Sequence, residues 1–167
     1  MDSPERIETE ASGGCQCGAV RYHVTAVLDT SHICHCRMCQ KAAGNFFAAL
    51  IGVPRHALTW TRGNPATFNS SDKAARGFCR YCGTPLTYEY ADAPYIDLAI
   101  CAFDDPAAVP PTMQLAEESR IPWCDDTAGL PTRTPEQKAK YAPLMAANPS
   151  FQHPDHDTTH WPPEPRP

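Results

Sequence analysis

Long apolar runs and excess positive charge are both missing from this 167-residue sequence. The longest apolar run, Phe46 to Val53, is far shorter than the about 20 residues that cross a bilayer. Lysine and arginine number 14 against 19 acidic residues, which gives a net charge of −5. We therefore expect no transmembrane helix, no nucleic-acid interface on a basic face and no surface for anionic lipids.

The first residues also lack the apolar segment of a secretory signal peptide, because they include Asp2, Glu5, Glu8 and Glu10. This absence predicts a cytoplasmic protein. Thiols stay reduced in the cytoplasm, where clustered cysteines bind metals or perform chemistry more often than they form disulfides.

Proline is abundant but unevenly placed, since 13 of the 18 prolines lie in residues 106–167. We expect an N-terminal extension at residues 1–12, one compact domain at residues 13–132 and a proline-rich tail at residues 133–167. Thr134, Pro135 and Gln137 predict a short helix in the tail, ending before Pro143. The tail histidines are expected to be solvated: His153, His156 and His160.

Strand patterns dominate the expected domain. Polar and apolar residues alternate at 20–25, 58–61, 86–90 and 95–100, and the strand pattern resumes at 66–68 after a turn at 62–65. The apolar run at 46–53 is typical of a buried strand. Short strands at close spacing favour an antiparallel β-fold with few short helices. One helical turn is expected after Cys39, ended by Gly44.

Seven of the nine cysteines fall into three tight groups. These are a C-x-C pair (Cys15, Cys17), a C-x-C-x-x-C triad (Cys34, Cys36, Cys39) and a C-x-x-C pair (Cys79, Cys82). The two pairs would close a four-thiolate zinc shell, which is the usual form of a structural site. The triad would supply three thiolates and leave one position open, as a catalytic zinc site does.

Other assignments of these cysteines remain open from the residues alone. His35 lies between two triad cysteines and would be a fourth ligand if both sites were closed. Disulfides and an iron–sulfur cluster are disfavoured by the odd cysteine count, the strained C-x-C geometry and the tight spacings. Cys101 is expected to be a small buried hydrophobe, and Cys124 to have a structural or surface role.

In combination, these motifs resemble the glutathione-dependent formaldehyde-activating enzyme family, which includes centromere protein V. The resemblance rests on residues 14–22, 34–40, 77–86 and 118–123, and covers about residues 13–132. It implies a zinc-stapled antiparallel β-sandwich called a β-tent. It also implies two zinc ions, a structural one on Cys15, Cys17, Cys79 and Cys82 and a catalytic one on Cys34, Cys36 and Cys39.

The activity implied by the resemblance is that of a carbon–sulfur lyase, whose reverse reaction joins glutathione to formaldehyde as S-(hydroxymethyl)glutathione. A thiol at the open zinc would be the nucleophile. Arg37 and Lys41 flank the triad and are candidate partners for the glutathione carboxylates, while Arg21, Arg62, Arg76 and Arg120 are weaker candidates. Trp123 is a candidate wall of the open site. Two alternatives are a non-enzymatic module with two structural zinc ions, and a lyase for another thiol or aldehyde.

Overall fold

Ten strands and two α-helices form the regular structure of residues 4–160, the part of the chain that the computed structural model describes. The strands are β1 (Arg6–Gly14), β2 (Arg21–Leu28), β3 (His32–Cys34), β4 (Ala48–Pro54), β5 (Leu58–Arg62), β6 (Ala66–Asn69), β7 (Ala74–Phe78), β8 (Pro85–Tyr90), β9 (Tyr95–Ala99) and β10 (Met113–Leu115). The helices are α1 (Arg37–Ala43) and α2 (Pro135–Ala146). The expectation of a mainly β protein with few short helices is confirmed.

The strands form two sheets. The smaller has the order β1-β2-β5, and the larger has the order β10-β3-β4-β9-β8-β7-β6. Neighbouring strands are antiparallel, except that β10 runs parallel to β3. Strand β1 begins inside the segment expected to be an N-terminal extension, and it pairs with β2 from Arg6 onward.

The main core lies between β2 of the smaller sheet and the centre of the larger one. Tyr22 and Val24 on β2 are fully buried with Val53 on β4, Leu86 on β8 and Leu98 on β9. On β2, the buried side chains of Tyr22 and Val24 alternate with the more exposed His23 and Thr25, as the sequence pattern predicts for a strand with one buried face. No helix within residues 4–160 is long and apolar enough to span a bilayer.

Both predicted helices form, with different bounds. Helix α1 starts at Arg37 rather than after Cys39, and Gly44 ends it in the left-handed conformation at φ 61°. Helix α2 has the predicted capping box between Thr134 and Gln137. It continues past Pro143, which donates no amide hydrogen bond, and the amide of Ala147 bonds to the Pro143 carbonyl.

The segment after α2 binds back onto the start of the domain. The His153 amide donates to the Gln16 carbonyl at 2.7 Å, and Arg62 donates to the carbonyl of Thr158. His153 is therefore buried, contrary to the expectation that the tail histidines are solvated, whereas His156 is exposed. Residues 161–167, at the end of the proline-rich tail, lie outside the described part of the chain.

Candidate metal centres

Two cysteine clusters assemble, with the grouping that the sequence predicts. Cys15 and Cys17 follow β1, and Cys79 and Cys82 lie between β7 and β8. Their four sulfurs are all within 4.8 Å of one another, with Sγ–Sγ distances of 3.6 Å for Cys15–Cys17 and 3.8 Å for Cys17–Cys79. A tetrahedral zinc with Zn–S bonds of about 2.3 Å requires sulfurs about 3.8 Å apart. The geometry of this four-cysteine cluster fits such an ion.

Each pair of this cluster lies on a tight turn that a glycine closes. The Gly18 amide donates to the Cys15 carbonyl at 3.0 Å, and the Gly83 amide donates to the Cys79 carbonyl at 2.8 Å. Both glycines have positive φ, 72° and 77°, which a residue with a side chain adopts only with strain. These turns direct both sulfurs of each pair to the same side.

Thr84 connects the two turns. Its hydroxyl accepts a hydrogen bond from the Gln16 amide and lies 3.1 Å from the Cys82 sulfur. Burial acts to raise the pKa of Cys82, but hydrogen bonds from the hydroxyl and backbone of Thr84 outweigh it and lower that pKa to about 6. Burial raises the pKa of Cys15. A divalent cation would therefore be needed to keep all four sulfurs deprotonated at neutral pH.

The three-cysteine cluster forms where β3 passes into α1. Cys34, Cys36 and Cys39 have all three sulfurs within 4.8 Å of one another. Cys36 caps α1, because its sulfur accepts the Cys39 amide at 3.4 Å. Burial acts to raise the pKa of Cys36, yet this amide and other hydrogen bonds give a net lowering, whereas burial raises the pKa of Cys34 to about 12.

His35 does not join the three-cysteine cluster. Its Nε2 lies 3.0 Å from the Gln114 side-chain oxygen, and its ring packs edge-on against Phe47. Within residues 4–160, the cluster contains the three sulfurs and no fourth ligand atom from a histidine, cysteine or acidic residue. The reading of His35 as a fourth ligand is thus not supported by its position.

Arg76 is the cation that contacts this three-cysteine cluster. Its Nη2 donates to the Cys39 sulfur at 3.2 Å, and its Nε donates to the Ser70 hydroxyl at 3.0 Å. The guanidinium also lies 4.5 Å from the centre of the Tyr88 ring. Arg76 is buried, at 7% exposure, so its charge acts on the cysteine sulfurs with little screening by water.

Arg76 was only one of the weaker candidates from the sequence, because a single arginine in a short strand has no spacing signal. The pairing of the strands determines its position. Arg76 on β7 lies opposite Tyr88 on β8, and Tyr88 lies opposite Asp97 on β9. The buried Gln40 ends the motif at residues 34–40, and no role was predicted for it. Its amide nitrogen donates to the carbonyls of His35 and Ser119, and it thereby fixes the start of α1.

Arg37 and Lys41, the predicted substrate contacts, lie on α1 along a surface groove. Phe46, Ile121 and Trp123 line the same groove. The Arg37 guanidinium donates to the Gln40 side-chain oxygen at 3.0 Å, and Trp123 packs edge-on against Phe46. Both cations are thus on the helix that carries Cys39.

A cavity of about 380 Å³ opens beside the three-cysteine cluster, at the point where β9 ends. Strand β9 pairs with β4 only as far as Leu50, so β4 and β8 continue beyond it with a gap between them. The residues that line the cavity include Ala43, Ala48, Leu50, Ala99 and Arg76. Cys101 also lines it and is exposed.

The exposure of Cys101 corrects the expectation of a buried residue. The strand pattern at 95–100 suggested that burial would continue, but the chain turns into a short 3₁₀ segment at Ile100–Ala102. Ile100 and Ala102 point into the core, and Cys101 between them points out. The other cysteine outside the clusters, Cys124, is partly buried.

Comparison with known sequences identifies one family. A family profile described as "Glutathione-dependent formaldehyde-activating enzyme" matches residues 10–119. A curated protein of Schizosaccharomyces pombe (strain 972), named an uncharacterized lyase, is 30% identical over 85 residues, which are 50% of this chain and 60% of that protein. The chain therefore matches less than two thirds of this relative's length.

A solved structure supports the fold. A Rhodobacter sphaeroides protein has a TM-score of 0.51 and 21% sequence identity, over 62% of this chain and 98% of that one. At this level of identity, the similarity concerns the fold alone.

Proposed function

Because the chain belongs to the glutathione-dependent formaldehyde-activating enzyme family, we propose that it is a zinc-dependent carbon–sulfur lyase. In the synthetic direction it would join glutathione to formaldehyde to give S-(hydroxymethyl)glutathione. The S. pombe relative carries the name of a lyase, which agrees with this class of reaction. We further propose that the two-sheet fold is the β-tent of this family and that the protein acts in the cytoplasm.

The observation that carries the proposal is the difference between the two clusters. One supplies four sulfurs, and the other supplies three with no fourth ligand from residues 4–160. We assign a structural zinc to Cys15, Cys17, Cys79 and Cys82, and a catalytic zinc to Cys34, Cys36 and Cys39. A zinc on three thiolates has one position for a thiol and lowers its pKa, so glutathione would bind there as a thiolate.

The proposed reaction needs no redox step. The glutathione sulfur forms a bond to the carbonyl carbon, the π electrons of the carbonyl move to its oxygen, and that oxygen gains the proton that the thiol lost. Arg76, in contact with Cys39, would offset the negative charge that a fourth thiolate adds. Arg37 and Lys41 would pair with the glutathione carboxylates along the groove on α1.

The test is the rate of adduct formation by the zinc-loaded protein, measured against the spontaneous reaction of glutathione with formaldehyde. We expect a rate above the spontaneous one, and we expect Cys36→Ser to abolish the excess without changing the far-ultraviolet circular dichroism. Cys124→Ser, which changes a cysteine outside both clusters, should keep the wild-type rate. A zinc-loaded wild type with no excess rate would contradict the proposed activity.

A further inference from the structure

The cavity at the end of β9 is connected to the three-cysteine cluster by shared residues. Ala48 and Leu50 pack against Cys39, and both also line the cavity. Arg76 lines it too, while donating to the Cys39 sulfur. None of the three cysteines lines the cavity itself, so a group bound there would reach the cluster past Arg76, Ala48 and Leu50.

The size of the cavity exceeds what formaldehyde needs. Its volume of about 380 Å³ lies within the range of about 300–1,000 Å³ that is usual for pockets holding ligands of many atoms. Formaldehyde has a single carbon and no substituent to place there. The cavity offers room for the side chain of a larger aldehyde.

The lining indicates the polarity of that side chain. Most of the surface comes from alanine, phenylalanine, leucine and proline side chains, such as Ala42, Phe47, Phe78 and Leu86. Arg76 is the single charged residue among the described residues that line the cavity. Its Nη2 and Nε are already bonded to Cys39 and Ser70, and its face is stacked on Tyr88.

The charge of the neighbouring thiolates disfavours an anion in the same place. Three cysteine thiolates and a substrate thiolate carry four negative charges against two on zinc, and Arg76 supplies one positive charge. A carboxylate brought into this cavity would add repulsion in a poorly solvated site. A neutral, apolar group adds none, and it gains by leaving water.

We propose that this cavity binds the neutral apolar side chain of the aldehyde, so that the enzyme prefers apolar aldehydes of several carbons to formaldehyde. The inference rests on the lyase function proposed above. The chemistry is that of the proposed reaction with formaldehyde. The thiol sulfur bonds to the carbonyl carbon, and the carbonyl oxygen takes the thiol proton. The product is a hemithioacetal whose carbon bears the apolar chain.

The first experiment measures the ratio of kcat/KM to the spontaneous second-order rate constant, for glutathione with formaldehyde, propanal and pentanal. This ratio corrects for the greater intrinsic reactivity of formaldehyde, and each methylene buried in the cavity should raise it about four-fold. If formaldehyde is turned over and this ratio falls from formaldehyde to pentanal, the inference is wrong and the lyase function stands. If no aldehyde reacts faster than spontaneously, the lyase function fails, and the aldehyde assignment fails with it.

A cavity-filling variant locates the effect. Ala42→Leu places a larger side chain at the cavity wall on α1. It should lower kcat/KM for pentanal by about ten-fold or more and change that for formaldehyde by less than about two-fold. Ala139→Leu makes the same substitution at an exposed position of α2 and should change neither. Equal losses for both aldehydes in Ala42→Leu would contradict the assignment.

A binding measurement is independent of turnover and of the folding of any variant. Titration of the zinc-loaded wild-type protein with 1-hexanol, followed by nuclear magnetic resonance, should show saturable shifts in residues that line the cavity. Hexanoate, of the same chain length but anionic, should bind at least about ten-fold more weakly. Absence of hexanol binding, or tighter binding of hexanoate, would overturn the proposal of a neutral apolar site.

Discussion

Asp97 is a buried carboxyl on the sheet face that carries Arg76 and Tyr88. It pairs across the sheet with Gly52 on one side and Tyr88 on the other, and its side chain is 7% exposed. Burial raises the pKa of Asp97 to about 6, partly offset by the nearby His32. An ionised Asp97 therefore costs the folded protein free energy at neutral pH.

The sign of this effect gives a pH-dependent prediction. Between about pH 4 and pH 6 the folded chain keeps a proton on Asp97 that the unfolded chain has lost, so rising pH lowers stability through this residue. Asp97→Asn should raise the free energy of unfolding at pH 8, by about 1 kcal/mol more than at pH 5. Urea denaturation of both proteins at the two pH values measures this difference. An equal effect at both pH values would contradict the raised pKa.

Arg76 gives a second prediction for a single residue. Arg76→Gln removes the charge but keeps a donor near Cys39, and we expect the three-cysteine cluster to lose metal at about ten-fold lower chelator concentration. The metal of the four-cysteine cluster should be retained, and this provides an internal control. Competition with a chromophoric chelator measures metal release from each cluster, because the two clusters should release their metal in separate steps. Unchanged release from the three-cysteine cluster would argue against the role of Arg76.

Residue spacing was sufficient to group the cysteines but not to find Arg76. Ligands that share a turn must lie close in sequence, so a C-x-C or C-x-x-C pair is visible without a structure. Arg76 reaches Cys39 across 37 residues, through a strand register that local patterns do not determine. The exposure of Cys101 could not be predicted for a related reason, because the residue at which β9 ends depends on the packing of the segment after it.

Among the elements, the strands with clear alternation or an apolar run were predictable, and the others were not. The sequence indicated β2, β4, β5, β6, β8 and β9, but it gave no signal for β3 and β10, which have three residues each. Strand β1 was missed because most of its residues are exposed or partly so, and an edge strand needs no apolar face. Helix α2 was recognisable from its capping box, although its surface is wholly exposed.

The segment after α2 is the element whose role the sequence hid most. Arg21 on β2 has a 3% exposed side chain and pairs with both Asp104 and Asp157. Asp157 also accepts the Ser12 hydroxyl at 2.9 Å, so this segment joins β1 and β2 to the rest of the chain. A composition rich in proline, histidine and aspartate predicts little order, and it cannot reveal a buried arginine 136 residues away.

Removal of the Asp157 charge tests the contribution of this segment. Asp157→Asn should lower the free energy of unfolding by about 1 kcal/mol, because Arg21 keeps Asp104 and Asp157 is itself half-exposed. Asp155→Asn, an exposed carboxylate two residues away, should change it by less than about 0.5 kcal/mol. Thermal or urea denaturation compares them. Equal effects of the two substitutions would show that the ion pair between Arg21 and Asp157 contributes nothing to the free energy of unfolding.

At the scale of the whole molecule, the two clusters should contribute differently to folding. The four-cysteine cluster links the turn after β1 to the turn between β7 and β8, so metal binding there is coupled to tertiary structure. The three-cysteine cluster draws its ligands from adjacent residues of β3 and α1, so it closes only a short loop. Its loss should leave most of the core intact.

This difference predicts separate outcomes for one substitution in each cluster. Cys82→Ser should leave the protein insoluble or largely unfolded, whereas Cys36→Ser should stay soluble and bind one zinc ion per chain instead of two. Zinc content by atomic absorption and the soluble fraction after expression measure both effects. A similar loss of solubility in the two variants would contradict the division into structural and catalytic sites.

The separation of the four ligands along the chain has a consequence during synthesis. Cys17 precedes Cys79 by 62 residues, which a ribosome adds in roughly 3–12 seconds. During that interval the nascent chain presents the C-x-C pair and, later, Cys34, Cys36 and Cys39, but not the second pair of the four-cysteine cluster. The order of translation therefore leaves Cys15 and Cys17 free to share a metal ion with Cys34, Cys36 or Cys39 until the β7–β8 turn emerges, so the two clusters become distinct only when Cys79 and Cys82 arrive.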